Sequence, residues 1–158
     1  MGCINQRKTV LLHLIGSGES LDKFQTVLKD KGIAVRFYVA VYEEEAKREI
    51  FSRCSFGINM MKPEVRVGIT MKSVDYFCYG LPLINSIPGD TWELVERYGI
   101  GVNCRRERFL EAAEQIVGEA DLFQEKRDQI RELYERLFTR EAMEAVLRKR
   151  VLPLLETD

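Results

Sequence analysis

From Thr9 to Cys104 short apolar runs alternate with amphipathic helical patterns, and few folds accept that order. Strands are expected at Thr9–Ile15, Ile33–Val39, Ser55–Met60 and Leu81–Ser86, with a short edge strand at Gly101–Cys104. Helices are expected between them at Leu21–Lys31, Glu43–Arg53, Met71–Tyr79 and Thr91–Tyr98. Thr9–Ile15 is almost continuously apolar, as a strand covered on both faces should be. Ser20 suits the N-cap of the first of these helices, and Gly32 suits its C′ position. Asp90 and Glu93, three apart, read as a capping-box-like pair. The chain is therefore read as α/β, a doubly wound parallel sheet of about five strands with helices on both faces.

Residues 105–158 change character. Charged residues dominate, and apolar positions recur at helical spacing through Phe109, Ala112, Ile116, Leu122, Ile130, Leu133, Leu137, Met143, Val146, Leu147 and Val151. Three helices are expected, broken near Gly118 and Thr139, as a solvated helical tail of one domain spanning 1–158. At 158 residues, 46% apolar and 31% charged, that domain is large enough for a proper core. The net charge of −1 lacks the concentrated basic footprint that nucleic acid requires. No apolar run has the length of a membrane span, and no leader pattern opens the sequence. Cys3, Cys54, Cys78 and Cys104 are scattered, with no Cys-x-x-Cys, and read as reduced, mostly buried thiols. A cytoplasmic protein is expected.

The chemistry concentrates in Gly68-Ile-Thr-Met-Lys72-Ser-Val-Asp75-Tyr76-Phe-Cys-Tyr-Gly80-Leu-Pro82. A glycine-containing loop leads into a short helix, whose free N–H groups favour anions. Asp75, one turn inside, can accept hydrogen bonds from vicinal hydroxyls, as the acidic residue of dinucleotide folds does. A nucleotide or nucleotide-sugar site is one reading. The other is a capped helix on a sheet with an exposed Lys72–Asp75 pair. His13, the single histidine, sits inside an apolar strand and reads as a satisfied core imidazole, so no Ser-His-Asp or Cys-His arrangement assembles.

The same stretch resembles the donor-binding segment of GT-B glycosyltransferases, in the family 4-like and family 1-like C-terminal domains. Their Lys-x-x-Glu/Asp-Tyr-x-x-x-Gly-x-Pro pattern is matched by Lys72, Asp75, Tyr76, Gly80 and Pro82. Three further segments follow in the family's order. These are the strand before Gly16-Ser-Gly18-Glu19, the run Glu49 to Asn59, and Pro88-Gly-Asp-Thr-Trp-Glu93. The resemblance covers roughly residues 9 to 150 and implies a Rossmann-like half of a GT-B fold. It implies that Asp75 binds the ribose hydroxyls and Lys72 a phosphate. Gly68, Ile69 and Thr70 would offer amides and a hydroxyl to the diphosphate. Gly16 and Gly18 would form the turn facing the donor, and Tyr42 would stack on the base. The donor would be a UDP- or GDP-sugar, with no metal.

The sequence departs from the pattern in two ways. Many family members carry a sugar-side glutamate eight residues before the ribose carboxylate, where this chain has Val67. Glu64 is the substitute candidate for that catalytic position. The acceptor domain and the opening strand and helix of the donor domain are also unmatched. That strand would sit centrally, between the first and third strands here, and residues 1 to 8 look too polar to replace it. Without it, the first and third strands must pair directly, or a segment from another chain must fill the gap.

Three functions follow. One is the donor-binding part of a retaining hexosyltransferase acting on a glycan or lipid-linked acceptor in polysaccharide assembly. It would be inactive alone and completed by an acceptor-domain partner chain or a homo-oligomer, placing it at the inner membrane face only through that partner. The second is a non-catalytic nucleotide-binding or interaction module that kept the fold. A receiver-like regulator ranks last, because no strand ends in an acidic cluster.

Overall fold

The computed structural model describes residues 1–19, 21–62 and 64–155. The expected N-cap Ser20 lies outside the described residues. The chain runs α1 (Gly2–Asn5), β1 (Leu11–Ile15), α2 (Leu21–Asp30), β2 (Ala34–Tyr38), α3 (Glu44–Ser52) and β3 (Gly57–Asn59). It continues through α4 (Met71–Cys78), β4 (Leu83–Asn85), α5 (Asp90–Tyr98) and β5 (Gly101–Asn103). A 3₁₀ turn (Arg106–Arg108) then leads into α6 (Phe109–Gly118), α7 (Ala120–Glu125), α8 (Arg127–Leu137), α9 (Arg140–Arg150) and α10 (Leu152–Leu155). The protein is α/β, and every described strand pairing is parallel.

The strands do not form the single five-stranded sheet that the alternation suggests. They form two sheets, β1–β2 and β3–β4–β5. No described strand lies between β1 and β3 to join them. Residues 2–5 are helical, and Ile4 packs into the core beside Met1 and Cys3. The N-terminal segment therefore does not supply a bridging strand. Asn5 instead tethers the start of the small sheet. Its side chain accepts from the Val10 amide at 2.9 Å and donates to the Gly32 carbonyl at 3.2 Å.

The three-stranded sheet carries most of the core. Leu83 and Ile84 are adjacent in β4 and point to opposite faces, which is why β4 reads as an unbroken apolar run. Leu83 joins Phe77, Val95, Ile100, Ile130 and Leu133 beneath α4, α5 and α8. Ile84 joins Val102, Cys104, Ala112, Ala113, Ile116 and Phe123 beneath α6 and α7. Gly101 permits the close β4–β5 approach, since a Cβ there would run into the Leu83 backbone. The β1–β2 sheet has a far smaller cluster of Leu12, Leu28 and Ile33.

Two further expectations change in detail. Asp90 does not cap α5 but is its first residue; Gly89 precedes it at φ 113°, and no side chain caps the helix. The tail breaks near Gly118 and Thr139, and also at Lys126 and Val151; beside the Lys126 break the Arg127 guanidinium donates to the Cys54 carbonyl at 3.0 Å. Thr139 caps α9 through the Ala142 amide at 3.2 Å. No residue of α9 is buried, and Met143, Val146 and Leu147 are each more than half exposed. The four cysteines are free; Cys104 is buried and the others half-buried.

Candidate functional site

The site is built on the C-terminal ends of β3, β4 and β5, each of which closes on an asparagine. Asn59, Asn85 and Asn103 are in register across the sheet. Asn59 Nδ2 donates to Asn85 Oδ1 at 3.1 Å, and Asn85 Nδ2 to Asn103 Oδ1 at 2.8 Å. Asn103 Nδ2 then donates to the Trp92 carbonyl of α5 at 3.0 Å. At the other end, Asn59 donates to Ser73 Oγ at 2.8 Å and accepts from Thr70 Oγ1 at 3.1 Å. Asn59, Asn85, Ser73 and Thr91 are wholly buried, and no buried side-chain nitrogen or oxygen among the described residues lacks a partner. Unpaired polar atoms at this depth would each cost about 1–3 kcal/mol, so the ladder fixes where α4 and α5 begin.

Thr70 caps α4, accepting from the Ser73 amide at 3.1 Å. Its hydroxyl is therefore engaged inside the protein. The Met71 and Lys72 amides take no partner among the described residues and remain the open N–H groups of the helix. The loop before α4 is fastened from the other side. The Gly68 carbonyl accepts from the Thr91 amide at 2.9 Å and from the Thr91 hydroxyl at 3.0 Å. A Cβ on Gly68 would meet the exposed Asp90 carboxylate at 2.7 Å, a side-chain end that can swing aside.

Lys72 and Asp75 project from α4 into the lining of a cavity of about 1020 Å³ between the two sheets. Lys72 is exposed and Asp75 half-buried. They form no ion pair with each other or with any other described residue. The rest of the lining is largely apolar and comes from β1, α2, the end of α3, Phe56, Ile58, Met60 and Tyr76. The Tyr76 ring covers Gly57, and its hydroxyl donates to the Ile58 carbonyl at 3.4 Å. Burial pushes the Tyr76 phenol above its ordinary range.

Of the site residues expected from the sequence, this cavity takes only Lys72 and Asp75. Gly16 and Gly18 follow β1 at φ 146° and 154°, a region that favours glycine, with open space around them. Tyr42 is 82% exposed and stacks on no ring among the described residues, although its neighbour Val41 lines the cavity. Glu64 and Gly68 are exposed, Ile69 is half-buried and Thr70 is buried, and all four lie outside the lining. His13 is half-buried rather than a core residue, with Nδ1 2.9 Å from the Tyr38 hydroxyl and the two rings stacked.

The asparagine ladder was not anticipated from the sequence. Its signal was present: three strands end in a β-branched residue followed by asparagine, at Ile58-Asn59, Ile84-Asn85 and Val102-Asn103. Tyr79 was missed too. Its hydroxyl donates to Glu44 Oε2 at 2.5 Å, which holds the Glu44 carboxyl below the usual range. Among the described residues no group of three His, Cys, Asp or Glu side chains is placed to hold a metal ion. No described helix is long and apolar enough to cross a membrane. Compared with family models, characterised proteins and solved structures, the chain gives no match.

Proposed function

We propose that this chain is the nucleotide-sugar-binding portion of a retaining glycosyltransferase. In this reading the fold is the Rossmann-like donor half of a GT-B enzyme. It takes a UDP- or GDP-sugar and passes a hexose to a glycan or lipid-linked acceptor in polysaccharide assembly in the cytoplasm. The observation that carries it is the placement of Lys72 and Asp75, the two charged residues of the resembling pattern. Both sit in the first turns of α4, which starts against Asn59 at the C-terminal end of β3, where open α/β folds bind ligands; both line the cavity between the sheets, and neither charge is neutralised by a neighbour.

Asp75 would accept from the ribose diol. Lys72 and the open amides of Met71 and Lys72 would take the diphosphate, stabilising charge as it departs. Transfer also needs an acceptor held in register, and that positioning is a large part of the barrier reduction. The chain alone is therefore expected to bind donor without transferring sugar, and the exposed apolar face of α9 suits a partner carrying the acceptor site.

A second reading is a nucleotide-binding or interaction module without catalysis. It is favoured by Thr70, whose hydroxyl is consumed by its cap, and by Glu64, which stands outside the cavity. Calorimetric titration with UDP, GDP and their sugar conjugates, repeated on Asp75→Asn, tests the site. Binding of one diphosphate that weakens at least about tenfold in the variant supports a working donor site. Absence of binding to every nucleotide removes it.

A further inference from the structure

The cavity between the sheets is bounded by two unpaired strand edges. In a strand, successive residues turn their main-chain groups to opposite sides. Gly16 donates its amide to the Tyr38 carbonyl of β2. Alternation therefore turns Leu12 and Leu14 toward β2, and Leu11, His13 and Ile15 away from it. On the facing strand, Gly57 donates to the Pro82 carbonyl and Asn59 accepts from Ser86, so both face β4. Phe56, Ile58 and Met60 then face the other way. The cavity lining agrees with this parity: it includes Phe56, Ile58 and Met60 and omits Gly57 and Asn59. All five residues of β1 line it as well.

We propose that this cleft takes an extended apolar segment of a second polypeptide, which completes one continuous sheet by pairing with β1 on one side and β3 on the other. Three points choose this occupant. First, an apolar small molecule would leave the outward main-chain groups of Leu11, His13 and Ile15 and the Ile58 amide unsatisfied, the Ile58 carbonyl already accepting from Tyr76, whereas a strand satisfies them. Second, two-stranded parallel sheets are poorly stable alone, and parallel sheets are found buried within larger ones. Third, the lining is cationic. Lys8, Lys31 and Lys72 take no carboxylate partner among the described residues, and Asp75 is the one acid in the lining. The segment therefore carries β-branched residues at its centre and acidic residues at its ends. This proposal does not rest on nucleotide binding.

The probe is a synthetic peptide of Val and Ile flanked by Glu, titrated into the full chain, with amide hydrogen exchange read residue by residue. The expected result is exchange slowed by about tenfold or more at Leu11, His13, Ile15 and Ile58. A peptide of the same sequence with alternate amides N-methylated should fail to bind. His13→Pro should keep the β1–β2 ladder, since the lost N–H faces the cleft, yet lose the peptide. Asp75→Asn removes the one acid of the lining and should strengthen binding of the Glu-flanked peptide, the opposite of the loss expected in the nucleotide test. The proposal is overturned by unchanged exchange at these amides or by equal binding of the N-methylated peptide. It is also overturned if the chain alone dimerises with concentration and protects the same amides, because the occupant is then a second copy.

Discussion

Asn59 and Asn85 end neighbouring parallel strands in register, and the Asn59 side-chain amide donates to the Asn85 side-chain carbonyl at 3.1 Å. Both are wholly buried. Two amides at the end of a sheet would ordinarily face solvent or a ligand. Here they are spent on the protein, and they pin the loops from which α4 and α5 start. The position of Lys72 and Asp75 is thus inherited from residues that touch no ligand. A site held on strand ends and capped helices is more rigid than one held on loops alone.

Asn85→Ala tests how much the ladder is worth. The substitution removes the acceptor used by Asn59 and the donors used by Asn103 and the Ile87 carbonyl. Buried partners left unpaired set the cost, so urea unfolding should show a loss of about 3 kcal/mol. A loss below about 0.5 kcal/mol, the scale of an ordinary surface change, would mean that the ladder is not formed in solution.

Thr70 separates the structural from the ligand-binding account of the same residue. Thr70→Val removes the cap on Ser73 and the donor to Asn59, and should destabilise by about 2 kcal/mol. Because the hydroxyl is committed to those partners, affinity for any nucleotide bound by the folded chain should stay within about twofold. A large loss of affinity with stability retained would assign the hydroxyl to the diphosphate instead.

Much of this architecture could be read in advance, for identifiable reasons. Periodicity located β1, β2 and helices α2 to α5, because residues such as Leu12, Leu28 and Ile33 obey their patterns even in a small cluster, but it gave neither α1 nor the division of the tail into five helices. It also placed the breaks at Gly118 and Thr139, where a glycine and a capping hydroxyl interrupt the helices. Pairing between strands was not legible. Hydrophobic pattern says that β1 and β3 each need neighbours, but not that no described strand sits between them. Nor does spacing show where a polar side chain is spent. Thr70 looks the same in sequence whether it faces a phosphate or Asn59. Tyr76 matched the resembling pattern as a motif residue, yet its packing on Gly57 emerged only in three dimensions.

That packing gives the next prediction. A Cβ on Gly57 would enter the Tyr76 ring, which is held by its contact with Phe51 and by its bond to Ile58. Gly57→Ala should therefore destabilise by about 2 kcal/mol through overpacking. In a Tyr76→Ala background the same change should cost close to nothing, because the clash has been removed. Equal costs in both backgrounds, measured as a double-mutant cycle by urea unfolding, would show that the two residues are not in contact.

His13 predicts how stability responds to pH. Burial first, and then the nearby Arg36 and Arg53 guanidinium groups, hold its imidazole below the ordinary value of 6.5. The folded protein therefore favours neutral histidine, and the unfolded chain takes up a proton first as pH falls. This contribution is fully present above pH 6.5 and is lost progressively as pH drops from there through the lowered folded value. The ring is only half-buried, so the effect should be a modest fall in thermal midpoint between about pH 7 and pH 5. His13→Gln should flatten that part of the profile while the acid limb set by carboxylates such as Glu44 persists. Glu44 acts at lower pH, because its depressed carboxyl stabilises the fold until it is protonated. A wild-type profile that rises on acidification from neutrality would mean that histidine is charged in the fold and that the arginines do not face it.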